Sequence, residues 1–237
     1  MQRYFAVDKK DNYIFLEESD MHHIKNVMRM NSDDNIECIY KTKLYICKVI
    51  SPNINKFEIK EILDDYNELT IDITIAIALV KEQKMDIILQ KLTELGVNRI
   101  IPLKMERSII KLDSKKSLKK QERWQLICKE ASEQSKRNII PEVTEIKTLD
   151  DIKNYDSDFK FVCSVSNKEN LVNKYLQNNS KCVRMLFVIG PEGGISPKEE
   201  EFLNRNGFIS VSLGNRVLRV ETAAIYVASI LNYCSTR

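Results

Sequence analysis

The stretch TIDITIAIALV, residues 70–80, constrains this chain more than any other. Its β-branched and apolar residues run with almost no polar break, as in a strand covered on both faces. Such a strand needs layers above and below it. After it, apolar runs alternate with amphipathic helical ones. MDIILQKLTELG (85–96) sets Met85, Ile88, Leu89, Leu92 and Leu95 on one stripe, and Gly96 ends it. RIIPL (99–103) reads as a strand. LKKQERWQLICKEASEQSKR (118–137) reads as a long helix with Trp124, Ile127, Cys128 and Ala131 turned inward. FKFVCSV (159–165), RMLFVIG (184–190) and ISVSL (209–213) are strands, with helices over 196–207 and 220–234. Strands separated by helices imply an α/β fold, a mostly parallel sheet with helices on both faces.

Residues 1–65 follow another rule. YIFLEE, NIECIYK, LYICKVIS and KFEIKEIL mix apolar and polar residues at strand period, and SDMHHIKNVMRM (19–30) reads as one short helix. A small β-barrel or sandwich fits. The polar DDYNEL (64–69) lies where the pattern changes, so the expected domains are 1–69 and 70–237.

The chain has only six glycines, and three of them fall in VIGPEGGIS (188–196), at Gly190, Gly193 and Gly194. Glycine is suited to positive φ and to close backbone approach. Ser196-Pro197-Lys198-Glu199 is a capping box with proline at the first helical position. GPEGG therefore joins the carboxyl end of a parallel strand to a helix, where open α/β sheets bind ligands. Neither a phosphate loop nor a dinucleotide fingerprint is present. A ligand held by backbone contacts, such as an adenosine compound, remains, as does a plain strand–helix turn. LGNRVLRVETAA (213–224) supplies a second loop of the same kind, with Gly214, Arg216, Arg219 and Glu221 before an apolar helix.

Charge and cysteines narrow the function classes. Net charge is +3, but residues 104–137 hold eleven Lys/Arg against five Asp/Glu. That segment is either a footprint for phosphate or a solvated helix face. Six cysteines without a C-x-x-C pair, and only the adjacent His22 and His23, give no zinc pattern. Reduced, buried thiols are expected. No apolar run is long enough to span a bilayer, so a soluble, cytoplasmic protein without membrane contact is expected.

VIGPEGGIS followed by SLGNRVLRVETAA resembles the SPOUT-class methyltransferases. Taken with KMDIILQKLTELGVNRIIPLKMERSI (84–109), KEASEQSKRNIIPEV (129–143), RYF (3–5) and HHIKNVMRM (22–30), nearly the whole chain resembles the bacterial RsmE family. One departure is Asp33, where that family usually has glycine; aspartate tolerates left-handed turns. The resemblance implies a trefoil-knotted methyltransferase domain, an amino-terminal PUA-like β-barrel, and a homodimer. It implies S-adenosylmethionine without a metal, and methylation of uridine N3 in 16S ribosomal RNA of the small subunit. Carried onto this chain, Ile189, Gly190, Glu192, Gly193, Gly194, Leu213, Gly214 and Leu218 are expected to hold the cofactor. Arg219 is expected to stabilise a uracil anion, with Glu133 or Glu221 as proton acceptor, or bulk water in their place. Arg3, Lys25, Arg29, Gln134, Arg137 and Asn138 are candidate RNA contacts, with the partner subunit as the alternative for Arg137 and Asn138. A ribose 2′-O-methyltransferase of the same class, and a catalytically silent RNA-binding or ribosome-assembly protein, stay open as alternatives.

Overall fold

A computed structural model of the chain describes residues 1–108, 110, 114–165 and 184–235. Cys182, one of the six cysteines, lies outside these. The chain divides into two compact units: Met1–Glu68 with Ser132–Ile139, and Leu69–Ala131 with Ile140–Arg237.

The first unit holds β1 (Arg3–Phe5), β2 (Asp8–Lys10), β3 (Tyr13–Phe15), α1 (Glu18–His22), β4 (Asn35–Tyr40), β5 (Lys43–Val49) and β6 (Phe57–Leu63). Its six strands form one sheet in the order β1-β4-β5-β6-β3-β2, antiparallel except for β1 beside β4. The sheet curls around Tyr4, Ile14, Leu16, Ile36, Cys38, Cys47, Val49 and Phe57, all fully or almost fully buried. The short strands β1 and β2 were not expected from the sequence. The expected helix over 19–30 is only α1 followed by a π-helical turn, His23–Val27. Asp33 adopts φ +79°, the left-handed turn that a glycine there would favour.

The second unit is a layered α/β sandwich. It contains β7 (Asp72–Ala78), α2 (Glu82–Glu94), β8 (Arg99–Leu103), α3 (Ser114–Gln134), β9 (Glu142–Val143), α4 (Leu149–Ile152), β10 (Phe159–Cys163), β11 (Arg184–Ile189), α5 (Pro197–Arg205), β12 (Ile209–Val211) and α6 (Val220–Ser235). The last residues of α3 belong to the first unit. The sheet runs β12-β10-β11-β7-β8-β9 and is parallel throughout. Strand period explains both covering layers. Ile73, Ile75 and Ile77 join Phe161, Phe187 and Ile189 on one face, under Met85, Ile88 and Leu92 of α2, Trp124 and Cys128 of α3, and the apolar stripe of α6. Ala76 and Ala78 join Leu186 and Val188 on the other face, under Ile152 and Leu203. The stripes read from the sequence are therefore the buried ones.

Two helix ends show the local rules at work. Gly96 follows α2 with φ +88°, and a Cβ there would lie 2.7 Å from Leu69 Cδ1. At α3 the expected helix to 137 stops at Gln134, because Lys136 turns left-handed at φ +61°. Lysine carries no stop signal in sequence, so the longer reading was the natural one.

Candidate active site

Three adjacent strands, β12, β10 and β11, end at one edge, and the loops after them enclose a cleft of about 670 Å³. This is the carboxyl end of a parallel sheet, where the dipoles and free backbone groups of strand–helix junctions collect. The loop after β11 supplies Ile189–Ile195, and that after β12 supplies Ser212–Arg219. The loop after β10 supplies Ser164 and Val165. The volume lies within the range of small-molecule sites.

The GPEGG loop is a tight turn, closed by the Gly194 amide donating to the Pro191 carbonyl at 2.8 Å. Its glycines serve different ends. A Cβ on Gly190 would sit 2.5 Å from Ile195 Cγ1, so glycine is needed for close packing. A Cβ on Gly193 would press Arg107 Cβ at 3.1 Å, and Gly194 takes φ +72°. Gly214, at φ +110°, is different again: a Cβ there would meet no atom within 4 Å, so the loop leaves that space open.

The loop is held from below by a segment the sequence reading passed over. Arg107 Nη1 donates to the Gly193 carbonyl at 2.9 Å, and the Glu106 amide donates to Glu199 Oε1 at 2.7 Å. Ser196 Oγ donates to Glu106 Oε2 at 2.8 Å. The expected capping box is present: Ser196 Oγ accepts from the Glu199 amide, and Glu199 Oε2 from the Ser196 amide.

Electrostatics at the cleft centre on three residues. Lys84, in the first turn of α2, reaches Glu192 at 2.8 Å and Glu221 at 3.7 Å. Burial pushes the Glu192 carboxyl up, but the Lys84 hydrogen bond, the local amide and the nearby lysine charges outweigh it and hold it below the usual range. Its hydrogen bond to Glu192 raises the Lys84 ammonium. The Arg219 guanidinium is exposed on the cleft and makes no hydrogen bond or ion pair with any described residue, while the Arg219 carbonyl accepts from the Ala223 amide at 2.8 Å. Of the carboxylates lining the cleft, Glu192 is held by Lys84 and Glu200 accepts from Ser210 Oγ at 3.0 Å. Cys163 lines the base of the cleft, and burial alone pushes its thiol up to about 12, so it stays protonated and apolar.

The chain matches the RNA methyltransferase domain model over residues 67–232 and the RNA methyltransferase PUA domain model over 16–62. It is 36% identical to ribosomal RNA small subunit methyltransferase E of Bacillus subtilis, covering 98% of this chain and 96% of that one. The chain belongs to the ribosomal RNA small subunit methyltransferase E family. A solved family structure, from Neisseria gonorrhoeae and bound to S-adenosyl methionine, superposes with TM-score 0.87 at 28% identity, over 98% of this chain and 97% of that one. A putative methyltransferase from Legionella pneumophila, in complex with the cofactor SAM, gives TM-score 0.88 at 29% identity, over 98% and 96%.

The family site can now be set against the residues named from sequence. Ile189, Gly190, Glu192, Gly193, Gly194, Leu213, Gly214, Leu218 and Arg219 all line the cleft. Glu133 and Glu221 do not. Glu133 belongs to the amino-terminal unit, and the Glu221 carboxylate is turned to Lys84.

Of the candidate RNA contacts, Lys25, Arg29 and Gln134 are exposed, whereas Arg3, Arg137 and Asn138 are buried and bonded inside the first unit. Arg3 Nε donates to Glu37 at 2.7 Å, and its Nη1 caps the Lys136 carbonyl. Arg137 and Glu68 form an ion pair whose side chains are 4% and 2% exposed. Asn138 donates to the carbonyls of Thr42 and Asp65. These three residues hold segment 132–139 in its unit. Much of the basic segment is also paired: Lys120 and Arg123 reach Glu82, and Lys136 reaches Glu37. Lys84, Glu106, Arg107 and Glu68 were missed, since each acts across more than twenty residues of sequence and leaves no local signal.

Proposed function

We propose that this chain methylates N3 of a uridine in the 16S RNA of the small ribosomal subunit, with S-adenosylmethionine as methyl donor. Family membership sets the reaction class. The observation that carries the finer reading is Arg219, a guanidinium without a partner among the described residues, on a glycine-lined cleft where Lys84 holds Glu192 and Glu221.

The cleft suits the donor. It has room for a nucleoside with its side chain, apolar walls in Ile189, Leu213 and Leu218, and open space at Gly214. S-adenosylmethionine supplies, when bound, a methyl group on a positively charged sulfur that needs no metal to activate it. What the protein must supply is the nucleophile. Uracil N3 is a weakly acidic imide, mostly protonated near neutral pH, and it lies on the Watson–Crick edge. The base therefore has to be unpaired and its anion favoured. The planar fork of Arg219 can meet charge spreading onto O2 or O4. Glu192 is engaged by Lys84, and neither Glu133 nor Glu221 is among the residues lining the cleft. The N3 proton accordingly leaves to solvent, and the rate should climb with pH.

Lys25, Arg29 and Gln134 are proposed as contacts of the PUA-type unit to the RNA backbone. Exposed Tyr226 and Tyr233 beside the buried stripe of α6 support a homodimer. A cytoplasmic location follows from the substrate.

Single-turnover methylation of small subunits tests Arg219. Arg219→Lys keeps the charge and loses the fork, and the rate should fall about 10²–10³-fold with cofactor affinity nearly unchanged. The rise of rate with pH should survive. Normal turnover with weakened cofactor binding would make Arg219 a cofactor residue instead.

A further inference from the structure

We infer that Lys84 is a positioning residue: by holding both Glu192 and Glu221 it keeps the Arg219 guanidinium unpaired and available to the substrate. The inference rests on the reading of Arg219 given above. It starts from an oddity of the cleft. Arginine is the side chain best shaped for a carboxylate, and two carboxylates lie in its neighbourhood. Glu192 lines the same cleft, and Glu221 is two residues further along the chain, in the first turn of α6. Yet Arg219 pairs with neither.

Lys84 explains this. Its ammonium sits 2.8 Å from Glu192 and 3.7 Å from Glu221, so one cation answers both. It comes from α2, a different element from either loop. Glu221 Oε2 is buried and accepts no hydrogen bond, so the charge of Lys84 is what it has. Arg219 lies close enough to Lys84 for the two cations to repel. Remove the ammonium, and two carboxylates stand beside an unpaired arginine on a mobile-length side chain. An ion pair between them is then the favoured outcome.

The consequences separate this role from a structural pin. The direct test is side-chain NMR of the full-length chain, labelled with ¹⁵N-arginine and free of donor, with Arg219 assigned through Arg219→Lys. In the wild-type chain the Arg219 Nε–H should exchange quickly with water. In Lys84→Met it should become protected, as in an ion pair. In Lys84→Met/Glu192→Gln and Lys84→Met/Glu221→Gln, at least one double variant should return it toward the wild-type signal. Single-turnover methylation should fall at least roughly tenfold in Lys84→Met, bounded by the about 10²–10³ expected for losing the arginine itself. Lys84→Arg, which keeps the cation, should recover most of the rate. An Arg219 signal identical in wild-type and Lys84→Met chains would overturn the inference, whatever the rate did. Protection of Arg219 with undiminished methylation would uphold the clamp and refute instead the catalytic reading of Arg219.

Discussion

Replacing Arg137 by methionine should unfold the amino-terminal unit more readily, because it strips the partner from a buried carboxylate. Glu68 is 2% exposed at its side chain. It accepts from Arg137 Nε at 3.1 Å and Nη2 at 2.5 Å, and from the amides of Asn138 and Ile139 at 2.8 and 3.0 Å. With the guanidinium gone, two amides remain to offset a full buried charge. Breaking a buried ion pair from one side costs about 3–5 kcal/mol, well above what an exposed pair is worth. A second change tests the cause. In Arg137→Met/Glu68→Gln the buried charge is gone while an acceptor for the two amides remains, so a large part of the loss should return. Urea unfolding followed by circular dichroism reports both units. The single tryptophan, Trp124, lies in the second unit, and its fluorescence should move much less. A loss below about 1 kcal/mol, together with a large fall in RNA affinity, would refute the argument and return Arg137 to the RNA-binding surface.

Two further outcomes are expected. Gly190→Ala would place a Cβ 2.5 Å from Ile195 Cγ1 and 3.2 Å from the Ile195 amide nitrogen, so it should cost about 1–3 kcal/mol as an overpacked contact. It should also displace the GPEGG turn and weaken S-adenosylmethionine binding by calorimetry; unaltered binding would show that the turn absorbs the methyl group. The second concerns pH. Burial pushes the Glu37 carboxyl up, but hydrogen bonds from Arg3 and Lys136 outweigh it, and the net displacement is downward. A depressed carboxyl contributes stability above its unfolded value and loses it as pH falls through the folded one. The stability gap between the wild-type chain and Glu37→Gln should therefore be full near neutral pH and close in acid; a gap that widened in acid would contradict it.

What could be read from sequence was what local chemistry encodes. The capping box at Ser196–Glu199 announces a helix start by itself, and the strand 72–78 announces burial on both faces by its composition. Two of the three cleft loops were visible because glycine and arginine cluster there. What could not be read depends on distant residues meeting. Glu68 fell in DDYNEL, whose polarity marked it as a linker, yet its side chain is among the most buried charges of the chain. Arg3 and Arg137 looked like solvent-facing cations because lone arginines usually are, and only their partners Glu37 and Glu68 reveal otherwise. Lys84 stood in a first helical turn, where nothing local distinguishes it from any solvated lysine.

The central claim is methyl transfer to uracil N3, and the modified nucleoside itself tests it most directly. Small subunits from cells lacking the protein would be incubated with the purified chain and S-adenosylmethionine. Their RNA would then be digested, and the nucleosides separated and identified by mass against synthetic standards. The account predicts one new species, a uridine methylated on the base at N3, formed far more slowly by Arg219→Lys. A ribose-methylated nucleoside, or no methyl incorporation by a chain that binds the donor, would contradict it.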